Sequence, residues 1–126
     1  MTLSNSAHTQ YMVRAYLNAE YGFVAMIIWW LTYCIQESWP HETGETRDGK
    51  WWVTTVDEMM KLKPLKRIPK HAVQYAIKRL RREGLLQTRR ASYENRMQGW
   101  YRAQPVDLKL VADWASRNPQ DSQKQA

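Results

Sequence analysis

Two prolines and a glycine punctuate the basic middle of this chain, and the segments they separate leave few folds open. Thr55 and Glu58 stand three apart, the spacing at which a Thr hydroxyl and a Glu carboxylate satisfy free backbone amides at a helix start. A helix over 56–63 is expected, stopped by Pro64, which lacks an amide hydrogen and crowds the preceding turn. After the connector Leu65-Lys66-Arg67-Ile68, Pro69 suits a first helical turn, and a second helix over 69–83 ends at Gly84 in the left-handed conformation. Trp51-Trp52-Val53-Thr54 reads as a strand before the first helix. Leu85 to Arg90 reads as a second strand, Ser92-Tyr93-Glu94-Asn95-Arg96 as a polar turn, and 97–104 as a returning strand. Two helices joined by a short break and followed by a hairpin predict a mostly α protein with a small β-hairpin, an α+β chain of the winged helix-turn-helix kind.

The second helix divides by face. At helical spacing Val73, Ala76, Ile77 and Leu80 form one stripe that must meet a core. Opposite lie His71, Gln74, Tyr75, Lys78 and Arg82, with Lys70, Arg79 and Arg81 flanking them within reach of phosphates. Long donors suit guanine and phosphate, an amide suits adenine, and an aromatic packs on sugar or a thymine methyl. From Lys63 through Arg102 there are twelve Lys or Arg against only Glu83 and Glu94, whereas the whole molecule has a net charge of +7. The positive field is therefore local, as a polyanion partner requires. The expected DNA contacts are Lys66 and Arg67 of the connector, Lys70, His71, Gln74, Tyr75, Lys78, Arg81 and Arg82 of the helix, and Arg89, Arg90 and Arg96 on or near the hairpin tip.

With 126 residues the chain is expected to be one domain over 1–116, with helical additions at both ends and a disordered polar tail over 117–126. A short helix is expected over 10–18, packing through Tyr11, Val13 and Tyr16 or Leu17. The apolar run over 22–35 is about fourteen residues, short of the roughly twenty needed to span a bilayer, so it reads as a central core helix. Residues 36–50, with Pro40, Gly44 and Asp48-Gly49, read as a polar loop. Asp107 is placed to cap a last helix whose stripe is Leu108, Val111, Trp114 and Ala115, closing the core or pairing with a second subunit. Cys34 is the single cysteine, so no internal disulfide is possible, and a cytoplasmic setting is expected, nucleoid-associated when DNA-bound. His41-Glu42-Thr43-Gly44-Glu45 lacks the second histidine of a zinc-protease motif, and there is no glycine-rich phosphate loop. No enzyme activity, metal or cofactor is expected.

The sequence from Ile28-Trp29-Trp30-Leu31 through Asp48-Gly49-Lys50-Trp51-Trp52-Val53, Ala76-Ile77-Lys78-Arg79-Leu80, Glu83-Gly84-Leu85-Leu86 and Trp100-Tyr101-Arg102 resembles the N-terminal winged-helix domain of phage and plasmid replication initiator and primosome proteins, over about residues 16–108. The resemblance implies a domain that binds DNA and often self-associates, so double-stranded DNA is the expected partner and a homodimer a possible assembly. It also implies that Lys70, His71, Gln74, Lys78 and Arg82 face DNA, and that Trp29, Trp30, Trp52 and Trp100 are chiefly core. In that family a separate C-terminal domain engages helicase or single strands. Only a helix and a tail follow here, so the expectation is a small DNA-binding protein acting at a replication origin or an operator. The alternative is a module that binds a host replication, transcription or defence protein, for which Tyr75, Tyr93 and the Trp39 loop would form one exposed patch. Neither reading involves a membrane.

Overall fold

The computed structural model describes residues 7–38, 51–93 and 96–119. Between Phe23 and Gln36 the chain carries no charged side chain, and a helix apolar on every side has to be covered on every side. That stretch forms α2 (Phe23–Ser38), which has the preceding helix α1 (Ala7–Tyr21) packed along it. Ala25, Ile28, Trp29, Thr32 and Gln36 of α2 are buried at helical spacing. α1 buries Val13 and Leu17, four apart, and runs beyond the expected 10–18 at both ends.

After residues 39–50, which lie outside the described residues together with Trp39, the chain enters β1 (Trp52–Thr54) and then α3 (Val56–Met59). Thr55 caps α3, its hydroxyl accepting from the Glu58 amide at 3.1 Å. α3 is four residues long, shorter than the expected 56–63. Met59 and Leu65 are both completely buried, and six positions apart they cannot share one face of a continuous α-helix. The backbone tightens instead, with Lys61 and Leu62 donating to Glu58 and Met59 at 3.1 Å each. A 3₁₀ turn over Lys63–Leu65 follows, so Pro64 sits inside a helical turn rather than ending α3.

The long amphipathic helix α4 (Lys70–Arg82) has Pro69 as its cap, one position before the expected first turn. The Pro69 carbonyl accepts from Ala72 and Val73 at 3.0 and 3.2 Å. At the other end Gly84 has φ +75°, and the Leu85 amide reaches the Leu80 carbonyl at 2.8 Å while Gly84 reaches Arg81 at 3.1 Å. Those two bonds close a left-handed helix ending that β-carbons disfavour. Val73, Ala76, Ile77 and Leu80 are all buried, and the face they form packs on α2.

The chain then makes β2 (Leu86–Tyr93) and β3 (Arg96–Ala103), which pair antiparallel, and β1 adds to the far side of β3 to give the order β1-β3-β2. The hairpin is longer than expected: Tyr93 pairs with Arg96, so the expected turn over 92–96 is mostly strand and only 94–95 lie outside the described residues. One face of the sheet, with Leu86, Tyr101, Ala103 and Trp52, joins the main core. The other holds Trp51, Ala91 and Trp100 as a second cluster, in which the Trp100 indole donates to the Ala91 carbonyl at 3.2 Å. Of the tryptophans expected in the core, Trp29, Trp52 and Trp100 are buried, and Trp30 is half-buried beneath the Arg14 guanidinium at 4.5 Å.

Polar bonds fix α2 to the end of β3. The Trp29 indole donates to the Gln104 carbonyl at 3.1 Å, and the Gln36 amide oxygen accepts from the Ala103 amide at 2.6 Å. The helix therefore continues through residues 36–38, expected as loop, because Gln36 is a buried partner and not a loop residue. The last helix, α5 (Leu108–Arg117), is capped by Asp107, which accepts from Lys109 at 2.9 Å. Val111, Trp114 and Ala115 are buried and Trp114 meets Tyr16 of α1 edge-on, whereas Leu108 of the same stripe stays exposed. Arg117 is the last residue of α5 rather than the start of a tail, and residues 120–126 lie outside the described ones.

Gln36→Ala removes the acceptor for a buried amide and is expected to cost about 2 kcal/mol, the penalty of an unsatisfied buried group. A lower urea midpoint with unchanged slope is the measurement that checks it.

Candidate nucleic-acid interface

With one side of α4 occupied by the core, three others remain. On the side toward α1, the Arg79 guanidinium donates to the Glu20 carbonyl at 3.2 Å and lies 5.1 Å over the Tyr21 ring. Arg79 therefore holds α4 to the end of α1, and the expectation that it flanks the helix to reach phosphates is corrected. A cation is well placed at that carbonyl, since the C-terminus of α1 carries partial negative charge. Burial raises the Tyr21 phenol, with nearby Glu83 and Glu20 acting in the same direction and Arg79 opposing them.

The outermost ridge carries His71, Tyr75, Lys78 and Arg82, all exposed, and Tyr75 is the most open large hydrophobic side chain among the described residues at 62 % exposure. Among the described residues these four side chains have no hydrogen bond or ion pair. Their helical spacing places them together because they lie opposite Val73, Ala76 and Leu80.

The third side faces the sheet. There Lys70, Gln74, Ile77 and Arg81 of α4, Thr55 to Asp57 at the start of α3, and Thr88, Arg89, Arg90, Met97, Gly99 and Tyr101 of the hairpin enclose an open cleft of about 560 Å³. Strand pairing explains the hairpin wall: Thr88 lies opposite Tyr101 and Arg90 opposite Gly99, so all four project toward one face. A β-carbon added at Gly99 would stand 2.7 Å from the Tyr101 ring and 2.8 Å from its hydroxyl oxygen. The absence of a side chain at Gly99 thus lets the Tyr101 ring lie against the strand as the floor of the cleft. Burial pushes the Tyr101 phenol up, while Arg90 and Arg81 pull it down. Across the mouth, the Lys70 ammonium meets the Asp57 carboxylate at 3.0 Å.

Lys66 and Arg67 are exposed and line a separate cavity of about 570 Å³ around Pro64, together with Lys61 and Lys63. Arg96 is exposed at the end of the hairpin. Arg89 and Arg90 are not at its tip: they pair with Trp100 and Gly99 in mid-strand, because the strands continue three residues past Arg90. The structure therefore gathers Lys70, Gln74, Arg81 and Arg90 in the cleft, sets His71, Tyr75, Lys78 and Arg82 on the ridge, turns Arg89 to the other face of the sheet with its partner Trp100, and leaves Lys66, Arg67 and Arg96 apart. Asp57, Thr88, Gly99 and Tyr101 were not expected at this surface. Glycine inside a strand, a mark of close approach, is the one local signal that pointed there. The side chain of Tyr93 and the whole Trp39 loop lie outside the described residues, and of the patch expected for protein binding only Tyr75 is described, exposed on the ridge.

No protein-family model, characterised protein or solved structure matches this chain. Among the described residues no three His, Cys, Asp or Glu side chains come together as a metal site. None of the described helices is long and apolar enough to cross a membrane.

Gly99→Ala is expected to overpack the Tyr101 ring and destabilise the fold by about 1–3 kcal/mol. Thermal unfolding checks the cost, and a shifted near-ultraviolet tyrosine signal would report the displaced ring.

Proposed function

We propose that this chain is a winged helix-turn-helix protein that binds double-stranded DNA, with α4 as the helix in the major groove and the β2–β3 hairpin as the wing. The observation that carries the reading is the ridge of His71, Tyr75, Lys78 and Arg82, a set of donors with one aromatic that no described residue engages. The order of a helix, a short strand, two helices and a hairpin, with β1 paired to β3, supports it. So does the local excess of positive charge.

In this arrangement the core fixes one side of α4 and Arg79 fixes a second, so the ridge enters the groove in one orientation. Lys78 and Arg82 supply affinity and guanine contacts, His71 and Tyr75 read base edges and methyl groups, and Gln74 stands where the ridge turns into the cleft. Lys61, Lys63, Lys66 and Arg67 reach one flanking backbone. The protein performs no chemistry; it positions itself on DNA, at a replication origin or an operator as the resemblance to initiator domains implies.

A second reading, a protein-binding module, draws on another face. Phe23, Leu108 and Leu110 are exposed, and an apolar groove of about 600 Å³ runs between Tyr11, Ala15, Ile27, Trp30 and Trp114.

The test is anisotropy titration of a labelled duplex from the DNA flanking this protein's gene, beside a scrambled duplex and a single strand, at several salt concentrations. Native duplex is expected to bind tightest. The Lys78→Ala, Arg82→Ala double variant should weaken binding about tenfold or more and flatten the salt dependence by about two counterions. Gln74→Ala should mainly reduce the preference for native over scrambled sequence. Undiminished affinity in the double variant would remove this face from the reading, and equal weak binding to all three nucleic acids would transfer it to the apolar groove.

A further inference from the structure

Tyr101 is only 8 % exposed, and its hydroxyl has no hydrogen-bond partner among the described residues. A phenol this enclosed usually finds a partner. Phenylalanine would fill the same space against Gly99 and Trp52. The hydroxyl opens into a cleft whose cations include Arg81 and Arg90, both close enough to act on the phenol, with the Lys70 ammonium at the mouth and the Thr55 and Thr88 side chains along the walls. Donors of this kind converge where an anion is missing.

We propose that the cleft between α4 and the hairpin is a seat for a single phosphodiester group, with the Tyr101 hydroxyl donating from the floor and Arg81, Arg90 and Lys70 closing around it. Asp57 is an internal competitor for that seat. Its carboxylate already holds Lys70 at 3.0 Å, so an incoming phosphate takes Lys70 from it. Asp57 and Lys70 are 73 % and 51 % exposed, and an exposed pair of this kind is weak enough to exchange. The competitor therefore lowers affinity for any phosphate and favours backbones whose path delivers one deep into the cleft. This rests on the DNA-binding reading for the source of the phosphate, while the seat itself rests on the Tyr101 cleft.

Two variants test it in the full chain. Tyr101→Phe keeps the ring and removes only the hydroxyl, so folding should be unchanged by thermal melting while duplex affinity falls about tenfold, the scale of one hydrogen bond to a charged acceptor. Asp57→Asn should tighten duplex binding about threefold, whereas Glu58→Gln, which removes the same charge one residue away where it pairs with Lys61 at 3.0 Å, should do less. Inorganic phosphate is the second probe, followed by amide shifts of Thr88 and Gly99 in nuclear magnetic resonance spectra. Duplex affinity that Tyr101→Phe and Asp57→Asn leave untouched, in a protein whose Lys78, Arg82 variant does lose binding, would overturn the seat and leave the DNA reading standing. If no duplex binds but phosphate shifts Thr88 and Gly99 in the wild type and not in Tyr101→Phe, the seat stands and the DNA reading falls. If neither duplex nor phosphate binds, both fall.

Discussion

Everything about the presentation of α4 follows from the need to cover α2. A helix without a charge from Phe23 to Gln36 leaves no side that water solvates well, and each fully buried large apolar side chain contributes roughly 1.5–3 kcal/mol. α1 covers part of its surface, while α4 and β3 pack against it as well. α4 is committed through Val73, Ala76, Ile77 and Leu80, and what remains of its circumference is therefore polar by default. The Gln36 and Trp29 bonds to the end of β3 then fix where the hairpin stands relative to α2. Since α4 packs on the same helix, the width of the cleft between α4 and the hairpin is set by α2 rather than by either wall.

Charge count alone misjudges which cations serve this surface. Twelve basic residues lie between Lys63 and Arg102, but two of them have other work. Arg79 is spent on the Glu20 carbonyl and the Tyr21 ring. Arg102 lies 4.2 Å over Trp51 and donates to the Gln87 amide oxygen at 3.0 and 3.3 Å, on the sheet face away from α4. Guanidinium suits both positions because its flat face stacks on an aromatic ring while its edge donates in plane. Lysine would fill neither as well. The local field still favours a polyanion, carried outward by the cations on the ridge, in the cleft, around Pro64 and at the hairpin end.

α4 was legible because its signals are local: an apolar stripe at helical period, Pro69 before it and Gly84 after it. The Thr55 cap was legible for the same reason. The length of α3 was not, because Met59 and Leu65 reach the core only when the chain abandons α-helical spacing, and that demand comes from the core. The hairpin strands read short since Ser92 and Tyr93 are turn-compatible residues that pairing with Met97 and Arg96 nevertheless holds in the ladder. A turn over 92–96 brings Arg89 and Arg90 nearer the hairpin tip than the observed pairing places them. The candidate surface was legible as a polar face of α4 and illegible as a cleft, because Asp57, Tyr101 and Gly99 come beside Lys70, Arg81 and Arg90 only through tertiary contact.

Tyr101 and Gly99 bear on each other in a way that argues for a site rather than a packing accident. In the middle strand of a sheet glycine weakens pairing and leaves space unfilled, and Gly99 sits in that strand, opposite both Arg90 and Thr54. Its cost is offset only by what it admits, which is a tyrosine ring lying along the strand with its hydroxyl beside two arginines. A larger residue at 99 would lift the ring into the cleft, and a phenylalanine at 101 would fill the floor and donate nothing. Like charges such as Arg81 and Arg90 facing one space repel, and that repulsion is relieved when an anion enters between them. An anion entering there would relieve that repulsion and give the Tyr101 hydroxyl an acceptor, and Gly99 is what leaves the ring room to lie along the strand and present it.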